Sequence, residues 1–523
     1  MLRLFIDGKA VEAKPGSTIL AAAQAAGIEI PTLCYRPGFA PAISCMICAV
    51  RVAGVDRLLP ACATPVENGM AVTSNSEEIQ QIRRTNLELI LSEHAGDCQG
   101  PCEIACPAGP DTPAILRAWQ NSDFVQAIEI ARRDLVLPAT LGFVCPAPCE
   151  RVCRRREFDA PVAIRFLHRY AGLEALRAAL TGMRPPSPDS PTVAVVGAGP
   201  AGLAACAALA AAGIAAVIYE AEDRPGGGLR ACVREGILPQ SVLADECHAI
   251  VSASAKFVPN FRLAGADALR ALCAQHAAVI LAMGPDRPLP DLGLEMGAHG
   301  IAIQRDVYLT SLPGVYATGG AVQPIRRMAA RAVAEGRAAA NAAIAALRGG
   351  RVAKKADFRL SLGRLSPEEA AAFFALAKTE SRAAEPDGEW TAQTTAHAAE
   401  RCLHCDCRAK KRCGLRQAAA LCGASAARYG HRRRRLEIDA SHPLIIFEAN
   451  KCINCGLCLE VSRQAGERVG LAWRGRGRNM RPAAALGKPL VQALEICAPA
   501  CAAVCPTAAL ALRQTQTLCP ARF

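Results

Sequence analysis

The sequence predicts a multidomain α/β protein in which one strand–helix–strand nucleotide unit is flanked on both sides by groups of cysteines. Three observations support this. The length of 523 residues exceeds that of one ordinary domain. The apolar stretch 193–218 is interrupted by glycines and a proline, which favours strand, turn and helix over a membrane span. The 26 cysteines lie mostly in tight groups on a long chain without an export signal, which favours metal binding in a reducing, cytoplasmic compartment.

The formal net charge of +13 raises nucleic acid as a partner. However, thiolate ligands add negative charge that this number ignores, and arginines accompany the cysteines at 154–156 and 432–435. We therefore expect the arginines to compensate metal-site charge, with no nucleic-acid partner and no direct membrane insertion.

The N-terminal segment begins with two predicted strands, Leu2–Ile6 and Lys9–Ala13, joined by the hairpin pair Asp7-Gly8. A helix is predicted over 18–26. The cysteines that follow have the spacing C-x10-C-x2-C-x13-C, which suits an iron–sulfur cluster, although zinc also accepts four thiolates. The hairpin–helix start and the long first gap favour a [2Fe–2S] cluster held by Cys34, Cys45, Cys48 and Cys62.

Residues 1–94, including the segment PACATPVENGM, resemble the ferredoxin-like domain that opens the large iron–sulfur subunit of respiratory complex I. The resemblance implies a β-grasp [2Fe–2S] domain at 1–78. Ser74 and Glu77 form a capping-box pattern for a helix that runs toward Glu93.

Two cysteine triplets follow, separated by a stretch of helical periodicity over 115–135. Residues 79–185 resemble the N-terminal domain of the glutamate synthase small subunit and of dihydropyrimidine dehydrogenase, an α-helical domain with two [4Fe–4S] clusters. The resemblance implies Cys98, Cys102 and Cys153 on one cluster, and Cys106, Cys145 and Cys149 on the other.

Six thiolates are two fewer than two cubanes need. His168 stands seven residues after Pro161, where the dehydrogenase has a glutamine ligand, and His94 precedes Cys98 much as a histidine precedes the cluster cysteines in complex I. Both histidines are candidate ligands, because imidazole can replace a thiolate. The alternative is a surface or neighbouring structural role for each.

The central unit carries the dinucleotide-binding pattern. A buried-strand run, 192–196, leads into G-x-G-x-x-G and an alanine-rich helix, and a second strand ends at an acidic residue. Such glycines let the backbone approach a pyrophosphate at the helix N-terminus, while the acid binds a ribose hydroxyl. The residues are Gly197, Gly199, Gly202 and Glu220.

Two further segments match flavin motifs of the glutamate synthase small-subunit family. The first is 226–230, with Gly227, Leu229 and Arg230. The second is GVYATGG, with Gly319 and Gly320, where the family has an aspartate in place of Gly320. In that family a whole NADPH-binding domain separates LAxG from ATGD. Here the connector from 285 to 316 is too short for one, so we predict a single Rossmann-like site over 190–350, with FAD as its occupant.

Residues 351–435 are predicted to form a helical connector followed by the motif RCLHCDCRAKKRC. Four thiolates this close predict one metal centre, a [4Fe–4S] cluster with zinc as the alternative. The segment resembles one in multi-cluster NAD(P)H:acceptor oxidoreductase subunits, whose order of domains matches nearly the whole chain. The predicted ligands are Cys402, Cys405, Cys407 and Cys413.

Residues 436–523 resemble a bacterial two-cluster ferredoxin, in which each C-x2-C-x2-C run borrows its fourth ligand from the other run. One set is complete: Cys452, Cys455, Cys458 and Cys505. The other set would need residues 462, 495, 498 and 501, and only Cys501 remains. We therefore predict one cubane retained and one lost.

These features predict an iron–sulfur flavoprotein that transfers electrons within a larger oxidoreductase, with one [2Fe–2S] cluster, three or four [4Fe–4S] clusters and FAD. No acid–base catalytic residue is predicted. The expected partner is a catalytic oxidoreductase subunit, a molybdenum or tungsten formate dehydrogenase being one candidate. The alternatives are a stand-alone NAD(P)H:acceptor oxidoreductase and a flavin-free cluster scaffold or redox sensor.

Overall fold

The computed structural model describes residues 1–178, 191–253, 256–285, 289–323, 328–350, 358, 360–375, 382, 390–430 and 433–513. Most of the predicted connector between 351 and 389, and Arg432 of the predicted arginine group, lie outside these residues.

The strands of the described chain form two five-stranded sheets, one three-stranded sheet and one two-stranded ribbon. In chain order they are β1 (Leu2–Ile6), β2 (Lys9–Ala13), β3 (Ala49–Val52), β4 (Leu59–Pro60), β5 (Ala71–Thr73), β6 (Thr192–Val196), β7 (Ala215–Tyr219), β8 (Lys256–Val258), β9 (Ala278–Leu281), β10 (Val315–Ala317), β11 (Ile438–Asp439), β12 (Ile445–Glu448), β13 (Leu471–Arg474), β14 (Arg481–Ala484) and β15 (Leu510–Leu512).

The α-helices in the same order are α1 (Ile19–Ala25), α2 (Glu77–Glu93), α3 (Pro101–Ala105), α4 (Thr112–Gln120), α5 (Phe124–Leu135), α6 (Pro138–Val144), α7 (Pro148–Arg151), α8 (Ile164–Arg177), α9 (Pro200–Ala211), α10 (Leu229–Arg234), α11 (Gln240–Val251), α12 (Ala266–Gln275), α13 (Ala329–Leu347), α14 (Pro367–Phe374), α15 (Ala392–Glu400), α16 (Gly414–Leu421), α17 (Leu457–Gln464), α18 (Leu490–Ala493) and α19 (Ala498–Val504).

The chain divides into two compact units. The first contains Met1–Gln99, Ala356–Leu376 and Cys405–Phe523, and the second contains Gly100–Lys355 and Ala377–His404. The first triplet of the helical region is therefore divided between the units, as is the motif 402–413. Each unit is described by itself below.

The first unit opens with the predicted hairpin. Ile6 pairs with Lys9, and the two residues between them both have positive φ, which a tight hairpin of this type requires. The sheet order is β2-β1-β5-β3-β4, with β1 and β5 parallel. Leu4 and Ile6 point into a core that α1 covers. The hairpin and both strand predictions are confirmed.

The capping prediction for α2 is wrong in one residue. The helix begins at Glu77 and ends at Glu93 as expected, but Ser76 caps it, accepting the N–H of Ile79 at 3.3 Å. Ser74 donates its backbone N–H and its hydroxyl to the carboxylate of Asp7, at 2.7 and 2.5 Å. Thus Ser74 does not cap the helix. It connects the segment before α2 to the hairpin turn at Asp7.

The last part of the first unit contains the antiparallel sheet β11-β12-β15 and the ribbon β13–β14. Helices α17 and α19 pack on each other, and α19 also packs on β15. Their apolar faces form one core with Ile445 and Leu510. This core positions the C-terminal cysteines.

The second unit begins with the helical region. The predicted helix over 115–135 is two helices, α4 and α5, separated at Ser122, whose φ is 57°. Helices α6 and α8 cross closely, because a Cβ built on Gly142 would lie 2.2 Å from Cβ of Arg169, and one on Gly172 would lie 2.1 Å from N of Ala139. Only glycine permits this approach.

The dinucleotide part of the second unit has the parallel sheet β10-β9-β6-β7-β8, with α9 connecting β6 to β7. The apolar stretch 193–218 is thus strand, helix and strand, as predicted. No helix among the described residues is long and apolar enough to cross a membrane. The described residues between β9 and β10 contain no helix and only isolated bridges, as expected for a connector without a second nucleotide domain.

The helical and dinucleotide parts of the second unit share one hydrophobic core, in which Leu137 and Leu141 pack with Val195 and Leu203. A buried carboxylate joins them further: Glu246 of α11 accepts the N–H groups of Ala139 at 2.9 Å and of Thr140 at 2.7 Å, at the start of α6. Burial raises the pKa of Glu246 to about 7, although these hydrogen bonds oppose the shift.

Candidate metal and dinucleotide sites

The four N-terminal cysteines converge in the first unit, and all are buried. The Cys45 thiol lowers the pKa of Cys34 to about 5 by hydrogen bonding, and the same bond raises the pKa of Cys45. Cys62 and Cys48 form a second such pair, in which the pKa of Cys48 falls to about 7 and that of Cys62 rises. Four thiols that share charge in this way form a suitable ligand set for a metal cluster.

A buried arginine supports this loop. Arg83 of α2 donates to the carbonyl of Ile47 at 3.0 Å and to that of Ala49 at 3.2 Å, on either side of Cys48. Its side chain therefore fixes the backbone around Cys48 and brings positive charge close to it.

The retained C-terminal set also converges. Cys452, Cys455, Cys458 and Cys505 line one open-sided cavity. Burial, followed by the charges of Cys505 and Cys452, raises the pKa of Cys455 to about 12. Arg434 donates to the carbonyl of Cys452 at 3.0 Å, so an arginine of the predicted group does accompany a cysteine.

A third group in the first unit brings together cysteines that the sequence motifs separate. The pKa of Cys413 is raised to about 12 by burial, then by the charges of Cys407 and Cys98. The buried Lys451 lies beside them: its charge acts on both Cys98 and Cys407, and its ammonium group binds the carboxylate of Glu448 at 2.6 Å.

His94 lies against the same lysine. Its Nδ1 is 3.1 Å from the carbonyl oxygen of Lys451, which requires the proton to be on Nδ1 and leaves the lone pair of Nε2 available. Burial, followed by the charge of Lys451, lowers the pKa of His94 to about 3, so the ring is neutral. This is the tautomer that metal-binding histidines adopt.

In the second unit, Cys106, Cys145 and Cys149 form one group. Burial raises the pKa of Cys149, and the charges of Cys106 and Cys145 add to the effect. Arg337 of α13 donates to the carbonyls of Ala108 at 2.7 Å and Asp134, so the dinucleotide part places a cation beside this group.

Cys102, Cys153 and Cys402 pack against another core of the second unit. Cys402 follows α15, which is docked on α4 and α8. The carbonyl of Arg401 accepts a hydrogen bond from Arg155 at 3.2 Å, two residues after Cys153. Cys402 thus belongs to the helical region, whereas Cys405, Cys407 and Cys413 belong to the first unit.

His168 lies on α8 and is buried. Its Nε2 has no hydrogen-bond partner within the described chain. Arg165, one turn earlier on α8, reaches the carbonyl of Cys145 at 3.4 Å. An imidazole nitrogen buried without a partner is costly unless something else binds it.

The dinucleotide loop has the geometry that the glycine pattern predicts. Gly197 has a φ of +105°, and a Cβ built on Gly202 would lie 1.8 Å from the carbonyl oxygen of Gly197. Gly227, whose Cβ would lie 2.8 Å from Cα of Gly199, packs on this loop. Glu220 is buried at the end of β7 and accepts the N–H of Ala198 at 2.6 Å.

The remaining predicted dinucleotide residues lie around this loop. Leu229 is buried at the start of α10, and Arg230 makes a 3.5 Å ion pair with Asp223. Gly319 has a φ of 63°. The sequence could have suggested that Lys451 lies beside a metal site, because it directly precedes a cluster-type cysteine run. Nothing in the local sequence identifies Arg337, which reaches residues about 200 positions away in the chain.

The position of Gly320 is closed to any side chain. A Cβ built there would lie 2.5 Å from N of Pro285 and 2.6 Å from C of Gly284. The backbone of Gly284 and Pro285 therefore occupies the space where the flavin family has an aspartate.

Three family models match separate parts of the chain. Residues 1–77 match a 2Fe-2S iron-sulfur cluster binding domain, residues 74–179 match dihydropyrimidine dehydrogenase domain II with its 4Fe-4S cluster, and residues 195–253 match an NAD(P)-binding Rossmann-like domain.

Curated relatives match about one fifth of the chain. They include NADP-reducing hydrogenase subunit HndD of Solidesulfovibrio fructosivorans (46% identical over 114 residues), NADPH-Fe(3+) oxidoreductase subunit alpha of Geobacter sulfurreducens (44% over 109) and the mitochondrial NADH-ubiquinone oxidoreductase 78 kDa subunit of Candida albicans (38% over 104). The match spans only 20%, 13% and 14% of these proteins, respectively.

A solved NAD+-reducing [NiFe]-hydrogenase structure aligns over 99% of this chain and 90% of its own, at 14% identity and a TM-score of 0.37. This likeness is too low to support an inference.

Proposed function

We propose that this protein is an electron-transfer subunit of a larger oxidoreductase, in which clustered thiolates bind iron–sulfur clusters and one dinucleotide domain binds FAD. The observation that carries the proposal is the convergence of the four retained C-terminal cysteines on one cavity. The matched 2Fe-2S and 4Fe-4S domains add to it. Iron–sulfur clusters pass single electrons, so the residues described here would bind and tune them rather than perform acid–base chemistry.

The geometry supports four ligand groups. Two follow the sequence predictions: Cys34 with its three partners for [2Fe–2S], and the C-terminal four for a [4Fe–4S] cluster in a ferredoxin-like domain. A third comprises Cys106, Cys145 and Cys149, with the unpartnered His168 as its proposed fourth ligand.

The fourth group is Cys98 with Cys407 and Cys413, together with His94. This group and the set implied by the family resemblance, in which Cys98 joins Cys102 and Cys153, both require Cys98, so the two assignments exclude each other. The mutual charge effects of the three thiols in the first unit favour the former. Cys402 would then be available to Cys102 and Cys153, whose core it shares. Cys405 remains a candidate for the first unit.

The dinucleotide site fits the adenosine part of FAD. The loop from Gly197 to Gly202 provides N–H groups at the start of α9, and Glu220 faces that loop, where the ribose would lie. When bound, the flavin supplies a centre that exchanges two electrons on one side and one electron on the other. Its proposed neighbour is the Cys106 group, since Arg337 connects the two parts of the unit.

Gly320 specifically favours a second candidate, a flavin-free scaffold. The closed backbone at Gly284 and Pro285 leaves the ribityl end of the site without the family's acid. Release of flavin from the denatured protein distinguishes the candidates: about one FAD per chain supports the first, whereas iron-loaded protein without flavin supports the second.

The experiment for the function itself is anaerobic purification from the native host, followed by identification of co-purifying proteins and addition of NADH or NADPH. We expect a catalytic oxidoreductase subunit, such as a formate dehydrogenase, to co-purify. We also expect little bleaching by either nicotinamide cofactor in the isolated chain. Rapid bleaching of the isolated chain would instead establish a stand-alone NAD(P)H:acceptor oxidoreductase.

A further inference from the structure

Two ligand positions of the lost C-terminal cluster are engaged within the protein. Ser462, where a crossing cysteine would stand, is buried, donates its hydroxyl to the carbonyl of Leu459 at 3.0 Å and accepts the N–H of Leu471 at 3.3 Å. Ala498 is buried in the core between α17 and α19. Neither residue therefore supplies a thiolate for a second cubane.

Two cysteines nevertheless meet there. Sγ of Cys497 and Sγ of Cys501 are 3.7 Å apart, in van der Waals contact, and both residues are buried. Cys497 is the N-cap of α19, with non-helical backbone angles, so its side chain can approach Cys501 from outside the helical register. Formation of a disulfide requires the sulfurs to close to about 2.0 Å, a movement that a terminal residue can make.

The pair lies directly beside a proposed cluster ligand. The Cys501 thiol donates to the carbonyl of Cys458 at 3.5 Å, and the charge of Cys501 contributes to the raised pKa of Cys458. A carboxylate also lies next to the pair: Glu467 accepts the backbone N–H groups of Ile496 and Cys497, each at 2.8 Å.

We propose that Cys497 and Cys501 are a redox-active dithiol, coupled to the cluster proposed at Cys452, Cys455, Cys458 and Cys505. Oxidation forms one S–S bond, breaks two S–H bonds and releases two protons and two electrons. The electrons pass singly to an oxidised iron–sulfur centre, and reduction reverses the process. The pair would store two electrons beside a one-electron carrier.

Glu467 is the proposed first proton acceptor. The Cys497 thiol is hydrogen-bonded to its carboxylate, and this bond, after burial, raises the pKa of Cys497 to about 11. Glu467 also lines an open cavity of about 570 Å³ bordered by Leu471 and Trp473, which gives the proton a route to solvent. Because Cys501 is fully buried, direct exchange with external thiols is disfavoured relative to electron transfer.

The inference rests on the proposed function, and thiol mapping tests it in the complete, cluster-loaded protein. One anaerobic sample is reduced with dithionite and another is oxidised with a ferricenium salt, a one-electron oxidant that cannot exchange thiols. Both samples are denatured in acid with a light alkylating reagent, which labels free thiols. They are then reduced and treated with a heavy alkylating reagent, which labels the thiols released from disulfides. Cleavage after Glu495 and Arg513 isolates Cys497, Cys501 and Cys505 on one peptide.

The expected result is heavy label on Cys497 and Cys501 in the oxidised sample only, with light label on Cys505 and on the isolated buried Cys247 in both samples. Before the reduction step, the peptide from the oxidised sample should be lighter by two hydrogen atoms than the same peptide with both thiols free. In Cys501→Ser protein, Cys497 should remain light under oxidation. Light label on both residues in oxidised wild-type protein would overturn the proposal, as would heavy label on Cys497 without Cys501.

Iron content separates this failure from that of the function. Iron-loaded protein with two free thiols refutes only the pair, whereas iron-free protein refutes the function. Glu467→Gln should slow disulfide formation about tenfold or more, as loss of a proton acceptor does, while Glu460→Gln in the same cavity should not. Equal rates of disulfide formation in the two variants would show that Glu467 is not the proton acceptor.

Discussion

Substitution of Lys451 by methionine is expected to destabilise the first unit strongly. Lys451 and Glu448 form a 2.6 Å ion pair whose side chains are only 4% and 9% exposed. Burial lowers the pKa of Lys451, but the charges of Glu448 and Cys407 outweigh it and leave the pKa raised, so the ammonium form is held in place. Breaking a buried pair by removing one partner costs about 3–5 kcal/mol, because the other charge remains buried and unpaired.

A loss of that size is a large fraction of the stability of an ordinary domain, about 5–15 kcal/mol. Anaerobic chemical denaturation, followed by circular dichroism and visible absorbance together, measures it. The double variant Lys451→Met/Glu448→Gln should recover much of the loss, since no unpaired charge remains. Arg481→Met is the matched surface control: Arg481 and Glu437 are also 2.6 Å apart but are 33% and 50% exposed, so about 0–1 kcal/mol is expected.

The reasoning fails if Lys451→Met costs no more than Arg481→Met, or if the double variant is as unstable as the single one. Either outcome would mean that the lysine does not compensate buried negative charge. A lower midpoint potential of one cluster in the Lys451→Met protein would additionally place that cluster beside residue 451, since a nearby positive charge favours the reduced form.

Three further predictions concern Glu246, Gly320 and the group that contains Cys98. Glu246→Gln should abolish a pH dependence of the folding stability. The pKa of Glu246 is raised from 4.5 to about 7, so its stabilising contribution is complete below pH 4.5 and is lost as pH rises through 7. In denaturation experiments, the wild-type protein should therefore lose about 2–3 kcal/mol of unfolding free energy relative to the variant between pH 5 and 8, and parallel curves would contradict this. Gly320→Ala should destabilise the second unit by about 1–3 kcal/mol, because the added Cβ meets backbone atoms. Gly228→Ala is the control and should change the melting temperature little, because the space around Gly228 is open. Similar melting temperatures for the two variants would show that the backbone around Gly320 can move. Cys98→Ser and Cys407→Ser should each remove the same electron paramagnetic resonance signal, because both residues are proposed to bind one cluster. Loss of different signals would instead favour the ligand set implied by the family resemblance, in which Cys98 joins Cys102 and Cys153.

Much of the architecture could be predicted because its determinants are local. The Asp7-Gly8 turn requires positive φ at two adjacent positions, and the alternating strands on either side fix the register. The glycine loop and Glu220 are likewise set within one βαβ unit. The Ser74 cap was wrong because Asp7, distant in sequence, offers that serine a better partner.

The grouping of cysteines could be predicted where a resemblance implied which distant cysteines share a site, as for Cys106 with Cys145 and Cys149, but not for the motif 402–413. The motif 402–413 suggested a single centre because its four thiols are adjacent in sequence. In the fold, α15 docks Cys402 on the helical region, while α16 carries Cys413 into the core around Cys34. Such docking depends on packing between distant elements, as does the contact of Cys497 with Cys501, and spacing alone does not encode it.

Mössbauer spectroscopy of anaerobically purified, ⁵⁷Fe-labelled protein tests the central claim most directly. One two-iron cluster and three or four four-iron clusters predict about 14 to 18 iron atoms per chain, with both cluster types resolved. A protein that contains zinc or no metal, or iron without inorganic sulfide, would contradict the account.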